Sequence, residues 1–537
     1  MDVSRRRFVV SCLAAAGAGL GVPGFAGADA RKAGAAAAPG PVKGGTAIIG
    51  ILQEPTQLAS ALTSAGPTQQ VSGKIFDGLL AYGIDSRPQP QLATAWNVSG
   101  DGLRITFRLR PNVRWHDGHP FTSEDVAFSV LEVWKKYHSR GRSTFANVIS
   151  VETPDALTAV LVLTKPAPYI LSALASTESQ PIPKHLYKSG DPLSNPRNLA
   201  PIGTGPFRFV AWERGNHIVL ERNPDYWDAP RPFLDRLIVR FLSDPSAMAN
   251  ALQSNSIHFG TPIYADLARL AQDANLIAYP LSTPFNSTVT SFEFNLDRPV
   301  FRDARVRQAF AHATDRDFLV KNVWFGDGVV ADSPIPKSVA AFHAANLPVY
   351  EFDLKKAEAL LEEAGHKRGA DGIRLTLALD PYPSEYLQQA GQLMRSNLSR
   401  IGVRLNLRST DPGEFINRVY GRRDFDTIIY GASSGPDPVI GVQRFYWSKN
   451  FAPGIAFSNG AHYANPEADR LLLAAQTETD AGRRRSLYQQ FQVIVQTDAV
   501  TLPLVVSSIP LVGSRRLHEV ITTADGLPGN FADAYLA

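Results

Sequence analysis

Between Asp353 and Tyr430 helix and strand alternate, and this limits the fold more than any other feature of the chain. Asp353 precedes a helical pattern whose apolar face is Ala357, Leu360, Leu361 and Ala364. Gly365 follows where a left-handed cap favours glycine. Ile373–Leu379 reads as a strand, Ser384–Ile401 as a helix ended by Gly402, and Val403–Leu407 as a strand. Gly413–Tyr420 then reads as a short helix and Phe425–Tyr430 as a strand. Strands joined through helices run parallel with right-handed crossovers. Ligands of such sheets sit outside the carboxyl ends of the strands. Loops 380–384, 408–412 and 431–438 are therefore expected on one edge, facing a cleft.

A second informative stretch is Leu92–Val130, LATAWNVSGDGLRITFRLRPNVRWHDGHPFTSEDVAFSV. Ser99-Gly100-Asp101-Gly102 is a turn, because Gly and Asp tolerate positive φ. Leu103, Ile105, Phe107 and Leu109 alternate with Arg104, Thr106, Arg108 and Arg110, giving one apolar and one basic face. Val113 and Trp115 resume the alternation until His116-Asp117-Gly118 turns the chain. Thr122 stands three residues before Asp125, the spacing of a capping pair. Val126, Val130, Val133 and Trp134 follow at helical spacing.

The segments LATAWNVSGDG, ITFRLRPNVRWHDG and SEDVAFSV resemble the bacterial extracellular solute-binding proteins of the peptide/nickel class, family 5. Three further stretches share the likeness: GTGPFRFVAWERGNHIVLERNPDYWD at 203–228, VRQAFAHATDR at 306–316 and NPEADRLLLAAQTETDAGRRRSLYQQFQ at 465–492. The resemblance runs from Gly44 to Ser508. It implies the ligand-capture component of an ABC importer, with an α/β, two-lobed, periplasmic-binding-protein-like fold. A cleft and hinge lie between the lobes, and the first lobe carries an extra β-rich subdomain. On that plan 44–82 and 196–288 build lobe I, 83–195 the extra subdomain, 289–503 lobe II, and 504–537 the return to lobe I. The outward crossing is expected near Thr290 to Asn295 and the return near Val500 to Ser507.

Residues 1–28 read as an export signal. Ser4-Arg5-Arg6-Arg7-Phe8-Val9-Val10 matches the twin-arginine pattern, a short Ala/Gly-rich apolar run follows, and Ala26-Gly27-Ala28 offers small residues before Asp29. The run is shorter than the roughly 20 apolar residues that a membrane span needs. A lipobox reading of Val9-Val10-Ser11-Cys12 lacks an apolar core before it. Residues 29–43 are an Ala/Gly/Pro-rich spacer. The expected location is the periplasm, with cell-surface association as the variant. Cys12 is the single cysteine of 537 residues, so the exported chain carries no disulfide, thiolate metal site or cysteine nucleophile. Removing three arginines and one aspartate lowers the formal charge from +4 to +2, and such a balance gives no reason to expect nucleic acid. A monomer without cofactor or metal is expected.

Other elements are plainer. Thr46–Ile49 opens the fold as a strand and Gln53–Thr56 is a loop. Thr68–Leu80 reads as a helix with Val71, Ile75 and Leu79 on one face. Val148–Leu163 holds an alternating pair, and Ser246–Asn255 is a helix candidate. Gly203-Thr204-Gly205-Pro206-Phe207 lacks the Lys-Ser/Thr of a phosphate loop and reads as a turn into the strand Phe207–Trp212.

Gly431-Ala432-Ser433-Ser434-Gly435 matches the G-x-S-x-G of a hydrolase elbow, with Asp469 and His518 in the required chain order. Pro436-Asp437-Pro438 disfavours the helix that must follow the serine. A serine hydrolase with Ser433 as nucleophile is the alternative reading, and a signalling receptor subunit a third. The first reading, a non-enzymatic binding protein, makes the same loop a ligand-facing one. Peptide-binding relatives in the resembled family place an ammonium-pairing Asp where this chain has Ser434. That departure counts against ordinary free-amino peptides and leaves modified peptides, amino-acid conjugates and sugar-like solutes open. Arg444, Tyr446 and Trp447 read either as a carboxylate-pairing guanidinium beside stacking surfaces or as surface and core. The expected ligand contacts are Glu54, Phe294, Asn295, Tyr430, Ser433, Ser434, Asp437, Arg444, Tyr446 and Trp447. The histidines show no HExxH, and the pair in His116-Asp117-Gly118-His119 is split by a turn. The expected partners are a small or peptide-like ligand and the permease subunits of an importer.

Overall fold

The computed structural model describes residues 40–537 except Ser139 and Ala452. The segment 1–28 expected to be an export signal, Cys12 within it, and residues 29–39 of the expected spacer lie outside the described residues. Two large sheets carry the chain. The first runs, in spatial order, Leu276–Ala278, Val512–Ser514, Phe259–Gly260, Thr46–Ile51, Arg236–Phe241, His217–Arg222 and Phe207–Glu213. Its central strand Thr46–Ile51 lies parallel to Arg236–Phe241, with Thr46 opposite Arg236, and parallel to Phe259–Gly260.

The second sheet runs Val329–Val330, Thr501–Ser508, Ser287–Phe294, Thr427–Ser433, Leu375–Pro381 and Val403–Leu407. Leu375–Pro381 is parallel to both of its neighbours, with Leu375 opposite Val403 and Leu379 opposite Thr427. Asp353 caps the helix Leu354–Glu363 by accepting from the Lys356 N–H at 3.0 Å. Gly365 (φ +88°) and Gly402 (φ +79°) take the left-handed conformation after their helices. Pro503 lacks a ladder donor yet stands in an inner strand. The register shift between Thr290 and Ser291, with Pro503 opposite Ser291, accommodates it.

The chain leaves the first sheet after Ala278, enters the second at Ser287, and returns between Ser508 and Val512. The outward passage is thus 279–286, upstream of the Thr290–Asn295 that sequence suggested. Ser287–Phe294 belongs wholly to the second sheet. It is buried on both faces, so its sequence lacks the alternation that would have marked it as a complete strand. Its two ladder partners are Thr427–Ser433 and Thr501–Ser508, so both passages start from adjacent strand ends, with Ser287 opposite Ser508.

A four-stranded antiparallel sheet, Ala93–Val98, Arg104–Leu109, Thr158–Leu163 and Val148–Asp155, is separate from these. Ile105, Phe107 and Leu109 are buried, while Arg104 and Arg108 face outward. Thr122 and Asp125 form a reciprocal capping box at the start of Ser123–Phe128. Three elements differ from the sequence reading. The helix expected over 68–80 is Gly66–Ile75, and Leu79 lies outside it. The chain extends at Phe76, and a Cβ on Gly78 would meet the Leu174 carbonyl oxygen at 2.5 Å, so Gly78 serves a close backbone approach. Val113 and Trp115 are buried without forming a strand; a single bridge pairs Arg114 with Pro120. The helix expected over 413–420 is Pro412–Ile416, widened over Asn417–Arg422 and stopped by Arg423 at φ +58°.

Candidate functional site

Two adjoining chambers share part of their lining. The larger, about 390 Å³, is lined by Gln53, Pro67, Tyr264, Ser384, Tyr386 and Ile509 among others. The smaller, about 200 Å³, is lined by Gln69, Arg140, Glu178, Ser287, Ser433 and Asp525 among others. Gln70, Thr288 and Ile509 line both. Segments that follow strands of the first sheet (Leu52, Gln53, Thr261), strand residues of the second (Ser287, Thr288, Ser433) and both passages therefore contribute walls. Two of the three loops expected to face a cleft do so. Ser384, Ser433, Gly435 and Pro436 line chambers, whereas Arg408 is held by Asp380 at 2.6 Å and by the Asp424 carbonyl at 2.6 Å.

The smaller chamber concentrates charge. Arg140 pairs with Glu178 at 2.6 Å, and its Nε–H has no partner. Thr177 Oγ1 donates to Asp525 Oδ1 at 3.0 Å. Burial raises the Glu178 carboxyl above the usual range against the pull of Arg140, and burial raises Asp525 likewise. The Ser287 hydroxyl, fully buried at the same wall, is also unpartnered. The tail loop that carries Asp525 is fixed from below. Lys74, fully buried on the helix Gly66–Ile75, donates to the Leu527 carbonyl and, at 2.8 Å, to that of Gly529.

The structure disperses the residues named from sequence. Tyr430, Ser433, Ser434 and Tyr446 surround a void of only about 20 Å³, and of these Ser433 alone also lines a chamber. Tyr430 donates to the buried Glu293 at 3.0 Å, and Tyr446 shares a 2.6 Å bond with Thr501. Ser434 is buried with its hydroxyl unpartnered. Arg444 is half-buried, stacks over Phe445, and is pushed down to about 10 by burial and by the nearby charge of Arg140.

The other five stand away from both chamber walls. Glu54 accepts from Trp212 Nε1 at 2.9 Å and from the Gly215 N–H at 3.1 Å, which fixes it to the hairpin of the first sheet. Phe294 is packed among Phe292, Phe301 and Phe310 in the core of the second lobe. Asn295 donates to the Phe425 carbonyl at 2.9 Å and accepts from Arg423 at 2.9 Å. Asp437 caps Pro438–Gly441 and holds Arg484 through two bonds of 2.6 and 2.8 Å, both groups buried. Trp447 packs half-buried against the core.

Arg140, Glu178, Ser287 and Asp525 were not visible as a set from sequence. They come from four distant segments, and only the fold assembles them. The hydrolase reading finds no support here. Ser433 Oγ accepts from the Gly435 N–H at 3.2 Å. Asp469 is engaged by Ser448, and His518 stacks on Tyr535. The helix after the serine begins only at Pro438. His116 and His119 do not share a centre. His116 accepts from the Gly203 N–H at 3.2 Å, donates to the Gly205 carbonyl at 3.0 Å, and is held neutral by burial at about 4. Among the described residues no helix is long and apolar enough to cross a membrane.

The family model of bacterial extracellular solute-binding proteins, family 5 (middle), matches residues 87–453. A Brucella ovis protein provisionally named an ABC transporter peptide-binding protein is 33% identical over 416 residues, 74% of this chain and 75% of its own. The glutathione-binding protein GsiB of Pectobacterium atrosepticum is 27% identical over 492 residues, 89% of this chain and 93% of its own. The solved structure of the oligopeptide-binding protein AppA of Bacillus subtilis, in complex with a nonapeptide, is similar with a TM-score of 0.79 at 25% identity. It covers 93% of this chain and 100% of that one. This chain belongs to the bacterial extracellular solute-binding proteins of family 5.

Proposed function

We propose that this protein captures a peptide-like zwitterion in the cleft, closes over it about segments 279–286 and 509–511, and delivers it to the permease of an ABC importer. The protein acts as a binding subunit rather than an enzyme, as a monomer, in the periplasm, which it reaches by the twin-arginine route. Membership of the family and the peptide- and glutathione-binding relatives support the class of ligand.

The observation that carries the reading is the Arg140–Glu178 pair with Asp525 beside it in one chamber wall. A buried carboxyl raised by desolvation gains when a cation arrives, so an ammonium is drawn to Glu178 and Asp525. Arg140 retains an unpaired donor and lies near Arg444, whose charge burial and Arg140 disfavour. A carboxylate placed between them relieves that repulsion. On this view the ammonium role that Ser434 lacks falls to acids of the first lobe.

A thermal-shift panel of free-amino peptides, N-blocked peptides and sugar conjugates tests the reading. A ligand at about 100 times its Kd adds ~2.7 kcal/mol, an easily read rise. Free-amino peptides are expected to raise the midpoint, and Glu178→Gln to remove their advantage over N-blocked ones. Equal binding of blocked and free peptides by the unmodified protein would overturn the ammonium assignment. A panel without any rise would overturn the peptide-like ligand class.

A further inference from the structure

We propose that Asp117, His119 and His185 form a binding site for a divalent transition-metal ion of the zinc class, apart from the cleft. None of the three lines either chamber. The turn that carries Asp117 and His119 is tightly held. Gly118 takes φ +89°, its N–H donates to the Trp115 carbonyl at 2.8 Å, and the Trp115 N–H donates to the His119 carbonyl at 2.8 Å. The bonds of His116 to Gly203 and Gly205 fix the base of the turn to the body of the protein. His185 arrives from the helix Lys184–Tyr187. The first residue of that helix is tied down by its N–H to Asp125 at 2.9 Å and by its ammonium to Glu124 at 2.9 Å.

The three side chains converge with the spacing that an ion needs. His185 Nε2 stands 2.7 Å from Asp117 Oδ2, and His119 Nδ1 stands 3.2 Å from Asp117 Oδ1. The imidazole rings stack 4.1 Å apart at 25°, and one ligand atom from each residue lies within 4.8 Å of the others. Two ligands each ~2.1 Å from one ion stand about 3.4 Å apart in a tetrahedron, so small side-chain adjustments suffice. Two imidazoles with one carboxylate favour zinc and its neighbours over magnesium or calcium, which prefer all-oxygen shells. All three side chains are partly exposed, so water completes the coordination. Ion binding requires the ligating ring nitrogens to be free of protons. It ties the turn at 115–119 to the helix at 184–187.

Titration of the exported chain with Co²⁺ and then Zn²⁺ tests the site. One equivalent of Co²⁺ should give visible d–d bands without thiolate charge transfer, since the only cysteine is Cys12 in the leader. Zn²⁺ should displace it and raise the melting midpoint, and Mg²⁺ should do neither. His119→Ala and His185→Ala are each expected to weaken binding at least tenfold, with Asp117→Asn as a third variant that keeps both rings. His462→Ala, at a ring that meets Asp297 at 2.6 Å and stacks on Phe451, should leave the titration unchanged. The melting midpoint of each variant without metal reports that it is folded. Absence of micromolar binding, or binding undiminished in all three site variants, overturns the proposal; the latter places the ion elsewhere, including the cleft. Peptide binding in the cleft is read separately and does not depend on this result.

Discussion

Glu293 is a buried acid whose burial is poorly compensated. It is fully buried on the strand Ser287–Phe294, accepts from Tyr430 at 3.0 Å, and leaves its second oxygen unpartnered. Burial raises it to about 8 from an ordinary 4.5. Between those two values the folded protein keeps a proton that the unfolded chain has lost. Stability contributed by this group is therefore fully present below 4.5 and falls as pH rises toward about 8. Glu293→Gln removes the titration. The midpoint of the variant minus that of the unmodified protein is expected to climb across this window and level off above it. Subtraction cancels other buried groups such as Asp77, raised to about 7. Melts over a pH series check this, and a difference that stays flat would mean that Glu293 is charged in the folded state. Asp437 shows the opposite case. Its buried guanidinium partner satisfies both oxygens, and deleting one member of such a pair typically costs about 3–5 kcal/mol. That commitment engages both oxygens of Asp437 within the protein.

At the scale of elements, what was legible followed local rules. The strand Arg104–Leu109, the capping box at Thr122 and the parallel set between 375 and 433 rest on alternation, caps and glycine stops within one window of sequence. Ser287–Phe294 was displaced in the reading because an inner strand buried on both faces shows no period. The chamber wall was illegible because it joins Arg140, Glu178 and Asp525, residues that no short window contains. The helix Gly66–Ile75 shows how such a wall is positioned. A Cβ on Gly73 would stand 1.9 Å from the Pro528 carbonyl oxygen, so the helix and the tail loop touch backbone to backbone. Gly73→Ala must push that loop away. Overpacking of this kind costs about 1–3 kcal/mol. The variant is expected to melt earlier and also to bind cleft ligand more weakly, because Asp525 and Leu527 move with the loop. Calorimetric titration beside a melt checks both. Lower stability with unchanged affinity would show that the wall adjusts independently of this contact.

At the scale of the whole molecule, the topology places the mechanical and the binding features together. The strands Ser287–Phe294 and Thr501–Ser508 pair antiparallel, so the two passages to the first sheet leave from neighbouring ends. Ser287 and Thr288 at one end, with Ile509 at the other, line the chambers. A rotation about the passages changes the chamber width while leaving both sheets intact, since among the described residues no ladder bond joins the sheets. Ligand that bridges walls from both lobes binds the closed arrangement better than an open one, and that difference alone drives closure. A ligand found by the thermal panel is therefore expected to reduce the radius of gyration measured by small-angle X-ray scattering. Arg140→Ala, which removes the guanidinium from the first-lobe wall, should require a higher ligand concentration for the same contraction. A saturating ligand that leaves the scattering curve unchanged would mean that the cleft is preformed, and that delivery to the permease depends on something other than closure.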